Sequence, residues 1–158
     1  MRAKELMTTP MYTCGVHDSA AAAAQIMWDR DCGAVPVVDD DGRVAGVVTD
    51  RDICMAAYLR GLPLYSIPVE SVMSGDVCTC RPDDDLSAIE RRMSERQVRR
   101  LPVVDTDGVP VGMLSIGDLA LGLQRAGDIP KKPVQELVGT VAAICQPRDD
   151  RQQMGMPS

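Results

Sequence analysis

The sequence predicts an α+β (mixed α/β) fold in which two β-α-β-β-α repeats stack sheet against sheet. Three observations predict it. The chain of 158 residues matches itself at an offset of 66 residues, Met7 on Met73, with no gap needed from Met7 to Gly61. An Asp-Gly pair, Asp41-Gly42 and again Asp107-Gly108, separates two apolar runs in each half. Apolar residues at helical spacing, such as Leu86, Ile89 and Met93, follow a capping residue. A three-stranded sheet of this size is a poor domain alone, so the copies are expected to share a core.

Each element has its own reason. The first strands are Met11 to Cys14 and Val77 to Cys80. The first helices are Ala20 to Arg30, opened by Asp18 or Ser19, and Leu86 to Arg96, opened by Asp84 or Asp85. The second strands, Ala34 to Val38 and Arg100 to Val104, should run parallel to the first through a right-handed crossover. After the Asp-Gly turns come Val44 to Val48 and Val109 to Leu114. The second helices run from Asp50 to about Arg60 and from Ile116 to about Arg125, stopped by Gly61 and Gly127. The organisation is therefore repeat 1 over 2–61, a linker over 62–68 that breaks helix twice with Pro, and repeat 2 over 69–127. Ala3 to Met7 and Val69 to Met73 read as short leading helical turns. A C-terminal helix is expected over 133–145, packed on the body or a partner, and a polar disordered tail over 147–158.

Composition excludes several classes. A net charge of −6 and a pI of about 4.7 argue against nucleic-acid binding by bulk charge. No apolar run approaches the ~20 residues of a membrane span. The start carries no signal-peptide stretch, so a soluble, cytoplasmic protein is expected. There is no Walker A, GxGxxG, HExxH or nucleophile elbow. One His, His17, supplies neither a Ser-His system nor, without any CxxC, a zinc site.

At the end of the third strand each copy carries Gly, two apolar residues, a hydroxyl, two variable residues and Asp. These are Gly46 to Asp52 with Thr49, and Gly112 to Asp118 with Ser115. One reading is a helix capping box worth ~1 kcal/mol. The other uses the same geometry. A strand-to-helix junction offers free N–H groups to phosphate, and the carboxylate can hold both ribose hydroxyls beside an apolar slot.

Val-Pro-Val-Val-Asp followed by Asp-Gly, then Gly-x-x-Thr-Asp-Arg-Asp, and Val98 to Asp105 in the second copy, resemble the CBS domain. The tandem arrangement, from Arg2 to roughly Gly127, resembles the Bateman module of that family, two repeats about a pseudo-two-fold axis. It is similar to small stand-alone bacterial pairs, including those of the hypoxic (stress) response type. The resemblance implies a non-enzymatic regulatory module for an adenosyl ligand: AMP, ADP, ATP, NAD or S-adenosylmethionine. It implies a homodimer through the second helices and an unidentified protein partner that reads the change. Carried over, Asp52 and Asp118 would hold ribose, and Thr49 and Ser115 ribose or phosphate. Backbone near Thr13, Cys14, Val35 and Pro36, and near Thr79, Cys80, Leu101 and Pro102, would line the base slots. A ligand-free interaction module is the alternative.

The copies differ where phosphate should lie. Copy two has Arg99 and Arg100 where copy one has Gly33 and Ala34, which favours the copy-two site for a phosphorylated ligand. The competing account is a solvated basic face with Arg91, Arg92 and Arg96. Apolar Ile53, Ala56, Ala57, Leu119 and Leu123 on the second helices are candidates for the dimer face or for packing within one chain. A third functional class is a thiol redox sensor. The C-terminal helix, folded back on the first strand, would pair Cys14 with Cys145; the plain alternative is buried, inert thiols.

Overall fold

The computed structural model describes residues 1–127 and 131–146, so the expected polar tail lies outside the described residues. A short helix α1 (Ala3–Leu6) leads. Repeat 1 contains β1 (Cys14–Gly15), α2 (Ala20–Asp29), β2 (Ala34–Val38), β3 (Val44–Thr49) and α3 (Asp50–Arg60). Two 3-10 turns, Leu64–Ser66 and Val69–Ser71, connect it to repeat 2. Repeat 2 contains α4 (Leu86–Arg96), β4 (Arg100–Val104), β5 (Pro110–Ser115) and α5 (Ile116–Arg125), and α6 (Lys131–Ile144) follows. Among the described residues no helix is long and apolar enough to cross a membrane.

The repeats are built alike. β2 pairs antiparallel with β3, and β4 with β5. Each hairpin carries its register shift at the same place, Val37/Val38 and Val103/Val104. The turns close in the left-handed region at Gly42 (φ 79°) and Gly108 (φ 87°). Asp39 Oδ1 accepts from the Asp41 and Arg43 amides, and Asp105 Oδ1 from the Asp107 and Val109 amides, which pins both turns. Ser19 caps α2 and Asp85 caps α4. Asp18 and Asp84 instead accept from the amides of Gly15 and Arg81.

The first strands are shorter than expected. β1 is two residues, parallel to β2, and its counterpart in repeat 2 is a single bridge between Cys80 and Val103. The reason is that each leading segment crosses to the other repeat. Thr8 bridges Met113 of repeat 2, and Ser74 bridges Val47 of repeat 1. Ile67, Val69 and Met73 pack into the core of repeat 1, with Val35, Val37, Val48 and Ile53. Ala3, Leu6 and Met7 pack into the core of repeat 2, with Ile89, Met93, Leu101 and Leu119. The crossing explains the glycine that opens each motif. A Cβ on Gly46 would lie 2.4 Å from Met73 Sδ, and one on Gly112 2.5 Å from Met7 Sδ.

Of the two places left open for the apolar residues of the second helices, Ile53, Ala56, Leu119 and Leu123 take packing within the chain's own cores, and Ala57 is half-buried. Helix α6 does not fold back on β1. It lies on α4 and α5, with Leu137 and Ile144 against the repeat 2 core. It begins at Lys131, two positions before the expected 133, because Pro133 in a first turn forfeits no helical hydrogen bond.

Candidate functional site

Both hydroxyl-carboxylate motifs are closed capping boxes. Thr49 Oγ1 donates to Asp52 Oδ2 at 2.7 Å, the Thr49 amide donates to the same oxygen at 2.9 Å, and Thr49 Oγ1 accepts from the Asp52 amide at 3.2 Å. Ser115 and Asp118 repeat the arrangement at 2.6, 2.7 and 3.2 Å. In each case one carboxylate oxygen is consumed by the cap. The second oxygen separates the two sites. Asp118 Oδ1 accepts from Thr8 Oγ1 at 3.2 Å, whereas among the described residues no hydrogen bond reaches Asp52 Oδ1.

Thr49 and Asp52 open into a cleft of about 840 Å³ between the repeats. Repeat 1 supplies Ala34, Val47 and the start of α3 through Arg51. Repeat 2 supplies Val77, Cys78, Val98, Arg99, Arg100 and Pro102. Ile144 at the end of α6, with Cys145 and Gln146 just after it, completes the wall. The backbone of Arg100 pairs with Ser115, yet its guanidinium reaches across the interface, where a Cβ on Gly33 would lie 3.3 Å from it. The structure thus brings Arg99 and Arg100 to the Thr49–Asp52 cleft of repeat 1, not to a pocket around Ser115 and Asp118. Sequence alternation along one strand placed them with their own repeat; the packing of one repeat on the other decides otherwise.

Acidic groups share the cleft. Asp50 and Asp76 line it with Asp52. Asp76 is ion-paired with Arg96, whose hydrogen bond holds its carboxyl below the usual range. Arg92 is similarly engaged, with Asp84 and the Thr79 carbonyl. Arg92 and Arg96 are therefore structural, while Arg51, Arg99 and Arg100 remain as cations of the cleft, none of them in a salt bridge among the described residues.

The expected base-slot residues divide. Pro102 lines the cleft. Val35, Leu101, Cys14 and Cys80 are 0 to 3% exposed and belong to the cores of their own repeats, and Thr13 and Thr79 are half-buried beside those thiols. Val77, Cys78 and Val98 take their place, and sequence reasoning missed them. Their signal was the crossing of the leading segment, which the apolar pattern does not encode.

The paired-thiol expectation is corrected. Cys14 sits in the repeat 1 core, where burial pushes its thiol up to about 11; Cys145 lines the cleft, just past the end of α6. Cys80 is likewise pushed up to about 12 by burial. Both buried thiols are poor nucleophiles for exchange. Cys145 instead shares the cleft wall with Cys78.

The model of the "CBS domain" family matches residues 3–58 and 69–125. The CBS domain-containing protein YhcV of Bacillus subtilis is 36% identical over 118 residues, 75% of this chain and 82% of that protein. Hypoxic response protein 1 of Mycobacterium tuberculosis is 30% identical over 145 residues, 92% of this chain and 94% of that protein. Among solved structures, the CBS domain pair of protein MJ0100 with 5-methylthioadenosine and S-adenosyl-L-methionine superimposes with a TM-score of 0.72 at 24% identity, covering 80% of this chain and 98% of that one. CBSX2 in complex with AMP gives 0.69 at 25% identity, covering 79% and 97%. Hypoxic Response Protein I with two coordinated zinc ions gives 0.71 at 30% identity, covering 78% and 99%. Among the described residues of this chain no three His, Cys, Asp or Glu side chains are placed to hold a metal ion, so they do not fit zinc. Two matched repeats in one register, each leading into the other's core and meeting at a cleft walled by both, show that the chain belongs to the CBS domain family, as a tandem pair.

Proposed function

We propose that the chain is a non-enzymatic regulatory module that binds a phosphorylated adenosyl ligand, AMP or ADP, in the Thr49–Asp52 cleft. One observation carries the reading: the same cleft holds a carboxylate oxygen, on Asp52, that no hydrogen bond reaches among the described residues, and two arginines from the opposite repeat. Asp52 Oδ1 suits the ribose hydroxyls, and the guanidiniums of Arg99 and Arg100 suit phosphate. The adenine would lie along Val77, Cys78 and Pro102. AMP in CBSX2, and the adenosyl ligands of MJ0100, support the ligand class. NAD, ATP and S-adenosylmethionine are the competitors; a cationic sulfonium gains nothing from two arginines. Because the cleft joins both repeats, a ligand there favours one packing of the pair over another, which is what a partner protein could read.

The test is a thermal-shift and calorimetric panel of AMP, ADP, ATP, NAD and S-adenosylmethionine. At a hundred times its dissociation constant a ligand adds ~2.7 kcal/mol of stability. The AMP response should vanish in Asp52→Ala and in an Arg99→Ala/Arg100→Ala double variant, and persist in Asp118→Ala. A response lost only in Asp118→Ala moves the site to the other motif. No response to any nucleotide leaves the ligand-free interaction module.

Self-association is a second reading, carried by a different surface. Met55, Tyr58, Leu59, Leu62 and Tyr65, on and just after α3, are 43 to 80% exposed. Large apolar side chains exposed on and just after one helix suit a homodimer face, and sedimentation of Tyr58→Asp/Leu59→Asp against wild type tests it.

A further inference from the structure

Helix α4 carries a carboxylate in the wrong place for a core. Glu90 follows Ile89 on the buried face of α4 and is only 3% exposed. Among the described residues neither of its oxygens has a hydrogen-bond partner. The residue at the same position of repeat 1 is Ala24, which lines an open groove between α2 and α3. In repeat 2 the equivalent groove is covered by α6. The cover is what removes Glu90 from water.

Among the described residues no cation is paired with Glu90. On α6, Glu136 faces Glu90 and adds repulsion, while Lys132 is held toward Glu136 at 3.8 Å and is 85% exposed. On α4, Arg92 and Arg96 are paired with Asp84 and Asp76, and Arg91 and Glu95 are exposed. On α5, Asp118 is in its cap and Arg125 is exposed. On α1, Arg2 and Lys4 pair with Asp83, and Glu5 accepts from the Arg2 amide. An ionised carboxylate under α6 would lose its hydration with nothing in exchange, whereas a neutral carboxyl tolerates the site far better.

We propose that α6 is a proton-gated flap: it closes over repeat 2 when Glu90 carries a proton and lifts when Glu90 is ionised. Lifting matters because the flap ends at the cleft. The Gln97 side-chain amide, at the end of α4, donates to the Ala143 carbonyl at 3.1 Å, and Ile144 to Gln146 wall the space beside Arg99 and Arg100. A lifted α6 opens that wall and bares the groove between α4 and α5.

The sign follows from the burial. Closure pushes the Glu90 carboxyl up, to about 7, through desolvation first and Glu136 second. The closed state therefore holds the proton more tightly than the open one. Closure is fully favoured below the ordinary carboxylate range. It weakens by about tenfold per pH unit between that range and neutrality, then levels off.

Hydrogen–deuterium exchange of residues 131–146, corrected for the intrinsic rate, tests this on the full chain without ligand. From pH 6 to pH 8 the protection of α6 should fall about tenfold, while β4 and β5 stay protected. Glu90→Gln should keep the pH 6 level at both values, and Glu90→Leu, which also removes the charge, should do the same. Equal protection of wild-type α6 at the two pH values overturns the proposal. So does the same fall in both variants, or a parallel fall in β4. The link to the cleft rests on the proposed function and has its own readout. The AMP dissociation constant should rise from pH 6 to pH 8 in wild type more than in Glu90→Gln, so that titration of the phosphate cancels. Absence of AMP binding at either pH overturns the nucleotide reading, and the exchange measurement still decides the flap.

Discussion

Repeat 1 and repeat 2 share a backbone plan down to the register shift in each hairpin, and they differ in what lies against them. Repeat 1 leaves its α2–α3 groove open, with Trp28 85% exposed at the rim. Repeat 2 covers the equivalent groove with α6 and buries Glu90 beneath it. The Asp52 motif faces a cleft with two arginines; the Asp118 motif is tied to Thr8. Where repeat 2 brings Cys78 to the cleft, the matching residue of repeat 1 is Tyr12, whose ring carries the Arg30 guanidinium at 4.0 Å. Duplication preserved the hydrogen-bonded frame, because hairpins and caps constrain it locally. The side chains at the seams were free to diverge, and function sits there.

Four substitutions sharpen or break that comparison. Ile67 is fully buried in repeat 1, while its counterpart Met1 is 44% exposed over repeat 2. Ile67→Ala should cost about 3 kcal/mol in chemical unfolding. A cost below about 1 kcal/mol would mean that repeat 1 closes its core without the crossing segment. The two motif glycines should differ next. A Cβ at Gly46 meets Met73 and also the Ser74 carbonyl oxygen at 3.1 Å, whereas at Gly112 it meets only Met7 side-chain atoms. Flexible methionine can yield and backbone cannot, so Gly46→Ala should lose about 2 kcal/mol and Gly112→Ala about 1 kcal/mol. Equal losses would remove the asymmetry. The smallest effect belongs to Ala24→Glu. It places in repeat 1 the carboxylate that repeat 2 buries, but in an open groove, so stability should change by under about 0.5 kcal/mol at both pH 6 and pH 8. A pH-dependent loss there would show that something covers repeat 1 as well.

The frame was legible because its signals are short-range. Asp41-Gly42 and Asp107-Gly108 set the turns, and Thr49 with Asp52 and Ser115 with Asp118 set the helix starts, each within a few residues. The crossing was not. Residues 62–68 read as a linker because Pro63 and Pro68 break helix, yet Ile67 between them is core. Nothing in the local pattern says which repeat receives it. The partner of Arg99 and Arg100 was misplaced for the same reason: strand alternation gives the face of a side chain, not the repeat that face meets. Glu90 left a visible trace, a carboxylate on the apolar stripe of Leu86, Ile89 and Met93. Its meaning depended on α6, whose docking place no spacing within the helix reveals. Cys14 and Cys145 were joined by an assumed fold-back of α6 that its packing on α4 and α5 replaces.

The exchanged leading segments also set an order of events in the growing chain. Residues 1–8 are synthesised before the rest of the module, but Met7 and Thr8 rest on Gly112 and Met113, more than a hundred residues later. At synthesis rates of about 5–20 residues per second, that tail end of the contact arrives on the order of ten seconds after the beginning. Repeat 1 can complete its core once residue 73 is out, whereas repeat 2 needs both ends of the module at once. The leading segment therefore waits for its partners in repeat 2, and closing it is a long-range step that forms slowly relative to the hairpins. A chain carrying one repeat alone would lack the strap that seals it and would have to take one from a neighbouring molecule, a route to exchange-linked dimers.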